Sequence, residues 1–388
     1  MTRVSPTVRA LAQRIAELHG RRHCILTGRA TSALTLAFRA LSAEGGRIVF
    51  PAILCPQPAN AALYAGFEPL FCDVSAADAN LDPGALRRLL SEENDVVAVV
   101  FAHLYGEAAD MKHLAEVCQD FGVVPIEDAA QAMGASLDGR PLGSFGEMSV
   151  LSFGRTKVLD VGDGGAVMTE DDRLAEKLAD AAAKLPPRPA GMAGLQAEYR
   201  ALYYRLKAMA DENPRLNRLF LPLPEMYRNL YLYQFDPARA DALSRGLDRL
   251  DEEVALRRRK AAIYAERLDQ SNVRLLKRQP GGVPWRFNLL LPPERQTEIT
   301  EGLRRAGFDA SNWYPALPKW YATGREQDLG LFENAHQIER GVLNLWLDAA
   351  TDEVRIRACC AALCESLERS RNSVNGKPAV ALAGEAGR

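Results

Sequence analysis

The chain has 388 residues, of which 47% are hydrophobic and 25% are charged, a composition typical of globular proteins. It is too long for one ordinary hydrophobic core, so we expect two domains. The formal net charge of −2 excludes a strong overall basic field of the kind that drives nucleic-acid binding, and no stretch reaches the roughly 18 apolar residues of a membrane span. The composition therefore favours a small-molecule partner over a nucleic acid or a membrane.

The amino-terminal segment predicts an amphipathic helix, with apolar residues at Val8, Leu11, Ile15 and Leu18, and it lacks the long apolar core of a signal peptide. The seven cysteines include no pair of CxxC motifs, so the sequence predicts no metal site. Their odd number suits a reducing compartment. We therefore expect a cytoplasmic protein.

Strand-like and helix-like stretches alternate through the first half of the chain, as in βαβ units with a mainly parallel sheet. In chain order, the predicted strands are 22–28, 47–52, 68–74, 95–102, 123–127, 148–153 and 166–169, and the predicted helices are 31–43, 58–65, 83–91, 111–121 and 171–185. Ligands of such sheets bind beyond the carboxyl ends of the strands. We therefore expect the functional site at that edge.

The alternation ends after residue 185, where several prolines interrupt it. Residues 186–230 predict an inserted helical segment that covers the site or a partner chain. A long helical pattern follows over residues 238–268, and its charged run at 257–259 is predicted to face solvent. Short strands and helices then mix. We predict a large domain of residues 1–240, a smaller α+β domain of residues 241–369 and a disordered tail of residues 370–388.

Two carboxylates, Glu127 and Asp128, stand at the carboxyl end of a predicted buried strand, in the segment VPIEDAAQA. A buried carboxylate needs a cation, a metal or hydrogen-bond donors, because an unpaired buried charge is very costly. One suitable partner is a protonated pyridine nitrogen. The alternative is a carboxylate that caps the next helix.

Lys157 follows the predicted strand 148–153 and precedes a turn with Gly162, Gly164 and Gly165. Burial of a lysine lowers the pKa of its amine and makes the amine nucleophilic. The glycines allow the backbone to approach a ligand closely. The alternative is a surface lysine beside a glycine turn.

Thr31 and Ser32 open a predicted helix within the segment TGRATSAL. The free N–H groups and the dipole of a helix start favour a phosphate, although a simple helix cap has the same residues. Combined with Asp128 and Lys157, this segment completes a set of three parts: a phosphate cradle, a carboxylate for a ring nitrogen and a lysine for a Schiff base. These are the parts that pyridoxal 5'-phosphate (PLP) requires.

The same segments resemble the DegT/DnrJ/StrS family of PLP-dependent aminotransferases, known largely from amino-sugar biosynthesis. The resemblance covers about residues 29–178, extends more weakly to about residue 365, and includes ATSALTLAFRAL, HLYGEAADM, IEDAAQAMGA and LSFGRTKVLDVGDGGAVMT. It implies the α/β architecture of PLP fold-type I: an aspartate-aminotransferase-like large domain with a mainly parallel sheet, and a smaller C-terminal α+β domain. It also implies a homodimer with active sites at the subunit interface.

The resemblance assigns roles to individual residues. It implies that Lys157 forms the Schiff base with the cofactor and that Asp128 pairs with the pyridine nitrogen, so these two are the expected catalytic residues. Gln131 would approach the ring hydroxyl. The full set of expected cofactor-binding residues is Thr31, Ser32, Cys55, Asp128, Gln131, Ser152 and Lys157.

Several positions depart from the family's pattern. Cys55 stands where an aromatic residue often stacks on the cofactor ring, and Met133 replaces a histidine that is common after the Asp-x-x-Gln motif. The Asn-x-Arg-Met segment, with which a partner chain contacts the phosphate in the family, falls on residues 232–235, where its asparagine and arginine are missing. Asn229 is the candidate replacement for that contact.

Three further residues have side chains suited to a site. His103 ends a predicted strand, and we expect a structural histidine there. Arg155 and Arg286 are candidates to bind a substrate carboxylate or phosphate through two parallel hydrogen bonds.

The expected function is amino transfer from glutamate to a keto or aldehyde acceptor, such as a keto-sugar or a related biosynthetic intermediate. Lys157 would act as general base and acid in the proton shift. Relatives that dehydrate deoxysugars carry histidine at the Schiff-base position, so Lys157 favours transamination. Two alternatives remain open: another PLP reaction on an amino acid (decarboxylation, lyase chemistry or carbon–carbon bond formation), or a non-catalytic PLP-binding regulatory protein.

Overall fold

The computed structural model describes residues 6–41, 45–269, 273–321 and 329–375. A large and a small β-sheet form the framework. The strands of the first half are β1 His23–Thr27, β2 Arg47–Pro51, β3 Glu68–Cys72, β4 Val96–Ala102, β5 Val124–Asp128, β6 Ser136–Leu137, β7 Arg140–Pro141, β8 Met148–Ser152 and β9 Gly165–Thr169. The helices among them are α1 Pro6–Leu18, α2 Ala30–Ala40, α3 Pro56–Ala65, α4 Pro83–Glu92, α5 Met111–Phe121 and α6 Asp172–Ala183.

The large sheet has the strand order β1–β9–β8–β5–β4–β2–β3, and β6 pairs with β7 in a separate hairpin. Strands β8, β5, β4, β2 and β3 are parallel, whereas β9 is antiparallel to both of its neighbours. Parallel strands require crossover helices, which cover both faces of the sheet. This arrangement confirms the predicted mainly parallel α/β sheet and brings the carboxyl ends of β4, β5 and β8 to one edge.

Strand β4 shows how both faces are covered. Ala98 and Val100 belong to the same apolar cluster as the inner residues of α2 and α3, whereas Val99 and Phe101 pack in a cluster with residues of α4 and α5. Alternate residues of a strand point to opposite faces, so a strand that is covered twice must be apolar at every position. The uninterrupted apolar run of β4 follows from this burial.

The carboxyl-terminal part has its own sheet, with strand order β10–β11–β13–β12. Its strands are β10 Arg274–Leu275, β11 Phe287–Leu290, β12 Ala310–Ser311 and β13 Val342–Leu345. The helices that follow α6 are α7 Met192–Glu212, α8 Leu223–Met226, α9 Ala240–Asp248, α10 Leu250–Leu268, α11 Gln296–Arg305, α12 Glu333–Gly341 and α13 Glu353–Asn375. Antiparallel strands covered by helices confirm the predicted α+β character of this part.

Helix α10 connects the two hydrophobic cores. Its first turns place Leu250 and Val254 in a core of the large sheet, and its last turns place Tyr264 and Leu268 in the core of the small sheet. The division into domains at residue 240 remains a prediction. Most of the predicted tail, 370–388, lies outside the described residues.

Three details differ from the sequence predictions. The helical pattern over 238–268 is interrupted at Arg249, which lies between α9 and α10. Leu18 is 44% exposed, so it does not share the buried face of α1 with Leu11 and Ile15. The run at 257–259 does not lie wholly on a solvated face, because Arg257 is buried and donates to Glu253 and to the Trp285 carbonyl.

The inserted segment 186–230 packs against other parts of its own chain, including α3, where the Tyr64 hydroxyl donates to the Pro224 carbonyl at 2.6 Å. Helix α7 contributes Tyr203, whose ring stacks on Trp313 and meets Trp320 edge-on. Phe220, in the turn after α7, stacks on Trp320 with ring centres 4.7 Å apart. Aromatic residues of the insert therefore pack against those of the segment 313–320, and this packing fixes the position of the insert.

Candidate active site

Strand β5 delivers Glu127 and Asp128 to the carboxyl edge of the sheet, as predicted, but the two carboxylates have different surroundings. Glu127 is fully buried, and it accepts hydrogen bonds from His103 at 2.8 Å and from the backbone N–H groups of Gly143 and Phe145, both at 2.6 Å. Within the described chain, the Asp128 carboxylate accepts one hydrogen bond, from Ala130 N–H at 3.0 Å. Glu127 is therefore a satisfied structural carboxylate, and Asp128 retains acceptor capacity for a further partner.

The electrostatics of Asp128 agree with this difference. Burial raises the pKa of its carboxyl group, and the positive charge of Lys157 acts in the opposite direction. A buried carboxylate with a single hydrogen bond is stabilised in its charged form by a nearby cation. A turn and not a helix follows β5, so Asp128 does not cap a helix. Its hydrogen bond from Ala130 N–H lies within that turn.

His103 is held by two hydrogen bonds that fix its tautomer. Ala109 N–H donates to Nδ1 at 3.1 Å, so the ring proton is on Nε2, which donates to Glu127. Both side chains are fully buried. This geometry supports a structural role for His103, whose hydrogen bond to Glu127 links the end of β4 to the end of β5.

Replacement of His103 by alanine is expected to lower the free energy of unfolding by about 3 kcal/mol, because it leaves the buried Glu127 charge without its side-chain partner. The measurement is denaturant unfolding of the variant and of His113→Ala, which removes an exposed histidine paired with Asp110. The control should unfold close to the unchanged protein. Equal stability of the two variants would contradict the structural role of His103.

Lys157 lies in the loop after β8, where a strained turn positions it. The preceding residue, Thr156, has a φ of 70°, a left-handed conformation that is uncommon for a side chain with a branched Cβ. Asp160 accepts from Thr156 N–H at 2.7 Å, and Trp285 Nε1 donates to the Thr156 carbonyl at 2.8 Å. These contacts fix the backbone that carries the lysine.

The Lys157 side chain is partly buried, so Lys157 is not a free surface lysine. Burial lowers the pKa of its amine, while the neighbouring Cys55 and Asp128 act to raise it. Strand β8, which Lys157 follows, pairs with β5 through Val150 and Asp128, so the lysine and the carboxylate come after neighbouring strands of the sheet. A lowered pKa increases the fraction of neutral amine, which is the nucleophilic form.

The predicted phosphate cradle is the start of α2, which approaches the start of β9 very closely. A Cβ on Gly165 would collide with the backbone of Ala30. The first bond of the helix runs from Ala33 N–H to the Arg29 carbonyl, so the N–H groups of residues 30–32 have no partner within the helix. Such a helix start favours an anion.

The three hydroxyl residues predicted for this phosphate site, Thr31, Ser32 and Ser152, differ in their surroundings. Ser32 Oγ donates to the Tyr231 carbonyl at 2.5 Å, so its proton is already used by the segment after the insert. Ser152, at the end of β8, lies beside the Gly154 turn. A Cβ on Gly154 would lie 3.5 Å from Ser152 Oγ and 3.9 Å from Arg29 Nη1, so a hydroxyl and a guanidinium flank the same turn. Thr31 is buried in the first turn of α2.

Gln131 is buried beyond the end of β5, and its side-chain carbonyl accepts from Tyr105 N–H at 3.0 Å. Tyr105 has a φ of 60°, and its ring packs with those of Trp285 at 6.4 Å and Tyr314 at 6.1 Å, which lie 5.7 Å from each other. Tyr314 follows Trp313, whose carbonyl accepts from the Tyr105 hydroxyl at 3.1 Å. Asn229, in contrast, lies exposed in a short turn.

The sequence prediction missed this aromatic group of Tyr105, Trp285 and Tyr314. Tyr105 stands in the matched segment HLYGEAADM and was a detectable signal. Trp285 and Tyr314 come from the carboxyl-terminal part, where neither spacing nor a motif connects them with the Lys157 loop.

A separate pocket lies between the start of α3 and the insert. Its lining includes Cys55 and two exposed or partly buried tyrosines of α7, Tyr199 and Tyr204, and it also contains the guanidinium groups of Arg29, Arg155 and Arg200. The pocket thus combines positive charge with aromatic surface. Cys55, immediately before α3, is the predicted cofactor-binding residue in this lining.

No helix in the described ranges is long and apolar enough to cross a membrane. No group of three or more histidine, cysteine, aspartate or glutamate side chains in those ranges has the arrangement of a metal site.

The fold is that of known aminotransferase structures. DesV of S. venezuelae, solved in complex with a ketimine intermediate, superposes with a TM-score of 0.76 over 94% of this chain and 90% of that one, at 24% identity. This agreement confirms the predicted fold class.

The profile of the DegT/DnrJ/EryC1/StrS aminotransferase family matches residues 1–364, and the chain belongs to that family. An L-glutamine:2-deoxy-scyllo-inosose aminotransferase of Streptomyces kanamyceticus is 34% identical over 45% of this chain, and the match spans 41% of the relative's length. A UDP-2-acetamido-2-deoxy-3-oxo-D-glucuronate aminotransferase of Pseudomonas aeruginosa is 25% identical over 93% of this chain and 90% of its own.

Proposed function

We propose that this protein is a PLP-dependent aminotransferase, which moves an amino group from glutamate to the carbonyl carbon of a keto-sugar or a related intermediate. The observation that carries the proposal is that Lys157, partly buried after β8, and Asp128, a buried carboxylate with free acceptor capacity at the end of β5, follow neighbouring strands at the carboxyl edge of the sheet. Membership of an aminotransferase family supports the reaction type.

The residues present fit PLP. Asp128 accepts one hydrogen bond and is suited to a protonated ring nitrogen, and the start of α2 with Ser152 is suited to the phosphate. Lys157 would provide the covalent attachment. Cys55, Gln131 and Thr31 complete the proposed contacts, with Ser32 acting through its backbone N–H because its hydroxyl donates to Tyr231. When bound, PLP supplies an aldehyde that links to amines and a protonated ring that withdraws electrons.

The protein's own groups have two tasks in this reaction. Asp128 holds a proton on the ring nitrogen, because its negative charge favours the protonated ring. The Lys157 amine, free once the amino donor has taken its place, would act as the base that removes a proton from the carbon bearing the amino group and as the acid that returns it two atoms away, across the nitrogen. The burial that lowers the pKa of the Lys157 amine favours the neutral form that accepts the proton.

The acceptor would enter through the pocket between α3 and the insert. Its tyrosines offer aromatic faces to a sugar or another ring, and its three guanidinium groups would favour an anionic substituent. The names of the two relatives above describe aminotransferases of an inosose and of a 3-oxo-glucuronate derivative, which supports a ketone on a polyhydroxylated ring as acceptor.

The half-reaction with an amino donor tests this function. After PLP is added to the purified protein, glutamate is expected to remove the visible absorbance band of the cofactor and to form pyridoxamine phosphate and 2-oxoglutarate. Glutamine is tested in parallel, since one relative is named for that donor. If neither amino acid changes the band, the proposed donor is wrong. Proton exchange at the α-carbon without amino transfer would favour a different PLP reaction.

The proposed assembly is a homodimer, with Asn229 of one chain near the phosphate site of the other. Its exposure in the described chain is compatible with such a contact. Light scattering coupled to gel filtration is expected to give twice the mass of one chain. A monomer that completes the half-reaction would contradict the shared site.

A further inference from the structure

Arg286, immediately before β11, is a buried cation without a carboxylate partner among the described residues. The residue is 2% exposed, and its Nε has no hydrogen-bond partner. In the described part of the chain its guanidinium forms no ion pair. Instead it lies over the ring of Trp346 at 3.7 Å and near that of Trp285 at 4.9 Å. A buried charge in this condition is costly unless a ligand compensates it.

Other buried arginines in this structure are satisfied. Arg257, which lines the same cavity, donates from Nε to Glu253 at 2.7 Å and from Nη1 to the Trp285 carbonyl at 2.9 Å. Arg21 donates to the carbonyls of Gly143, Phe145 and Gly146. The lack of a partner is therefore a particular feature of Arg286 and not a general feature of the arginines in these cores.

The position of Arg286 connects it with the reaction. Arg286 and Lys157 line one cavity of about 600 Å³, which also contains Asp348. The two cations interact, since Arg286 acts to lower the pKa of Lys157 in addition to the larger effect of burial. Burial lowers the pKa of Arg286 to about 10, so the guanidinium still carries its charge at neutral pH.

The stacking also restricts the kind of ligand. Because Trp346 covers a face of the guanidinium, its N–H donors remain available in the plane of the group, at its edge. A planar acceptor with two oxygens matches such an edge through two parallel hydrogen bonds. In an amino acid the carboxylate is one carbon away from the amine, and that amine must reach the place that the Lys157 amine occupies.

We propose that Arg286 binds a carboxylate of the amino donor, and so selects α-amino acids as donors for this site. The proposal rests on the aminotransferase function proposed above. In this proposal the amino donor binds next to the carboxyl-terminal sheet, and the carbonyl acceptor binds next to the insert and α3.

Binding of glutarate, a dicarboxylate that cannot react, tests the role of Arg286 without any turnover. Calorimetry is carried out on the PLP-loaded protein and on Arg286→Gln, Arg286→Lys and Arg278→Gln. Arg278 is the control, because it is partly buried and, like Arg286, lies over an aromatic ring, Phe287 at 4.5 Å, but does not line the cavity. Loss of one partner of a buried charge pair predicts binding weaker by about 30-fold or more in Arg286→Gln.

Arg286→Lys is expected to recover part of the affinity, since it keeps the charge without the paired donors. Arg278→Gln should bind glutarate as the unchanged protein does. Equal affinity in Arg286→Gln and Arg278→Gln would overturn the proposal. If the Arg286 variants do not fold, competition on the unchanged protein decides: uncharged glutaramide should not displace glutarate, and displacement at similar concentration would overturn the carboxylate assignment.

The result is separable from the proposed function. If no amino donor changes the cofactor band but glutarate binding depends on Arg286, the carboxylate site stands and the reaction type is wrong. If glutamate reacts at an unchanged concentration dependence in Arg286→Gln, the aminotransferase function stands and the Arg286 proposal is wrong.

Discussion

Replacement of Lys157 by alanine is expected to reduce amino transfer by at least about 10⁴-fold, because the variant loses both the covalent attachment of the cofactor and the group that moves the proton. The protein should still bind PLP through its phosphate and ring contacts. The measurement combines single-turnover kinetics with glutamate and the visible spectrum, in which the band of the lysine-bound cofactor should be replaced by that of free PLP.

Lys260→Ala is the matched control for this variant. Lys260 is another buried lysine, but its Nζ donates to the Asp348 carbonyl at 2.5 Å, so it has a structural partner. This control should keep the cofactor band and most of the activity. A Lys157→Ala protein that retains the band and the half-reaction would show that another lysine carries the cofactor.

Replacement of Asp128 by asparagine is expected to slow the half-reaction by on the order of 100-fold, because a neutral amide no longer favours a protonated ring nitrogen. The fold should be retained, since the asparagine carbonyl can still accept from Ala130 N–H. Affinity for PLP should fall as well. Stopped-flow kinetics of the half-reaction and a PLP titration measure the two effects.

Glu127→Gln provides the contrasting variant one residue away. Two backbone donors, Gly143 N–H and Phe145 N–H, each point to one of the Glu127 oxygens. The NH2 group of a glutamine side chain would therefore point at one of these donors and could not accept its hydrogen bond. This change should lower the thermal stability and leave the cofactor spectrum unchanged. If Glu127→Gln slows the chemistry as much as Asp128→Asn does, the assignment of separate roles is wrong.

The large sheet was predictable because its burial requires a particular sequence pattern. A strand covered on both faces is apolar at every position, as in β4, and helices of regular length separate such strands. Asp128 and Lys157 were predictable for the same reason, since the ends of parallel strands meet at one edge. The difference between Glu127 and Asp128 was not predictable, because it depends on backbone N–H donors in the loop at 143–145.

Other features depend on tertiary contacts that no local pattern expresses. The break at Arg249 separates two helices whose apolar residues, Leu247 and Leu250, enter the same core, so the helical periodicity continues across it. The buried position of Arg257 results from the Trp285 carbonyl, which is distant in sequence. The aromatic group around Tyr105 joins the two sheets in the same way.

The most direct test of the central claim is the site of cofactor attachment. The PLP-loaded protein is reduced with borohydride, digested and analysed by peptide mass spectrometry. We expect one phosphopyridoxyl-modified peptide, with the modification on Lys157. A modification on another lysine, or no modification after full loading with PLP, would contradict the assignment of Lys157 and the function built on it.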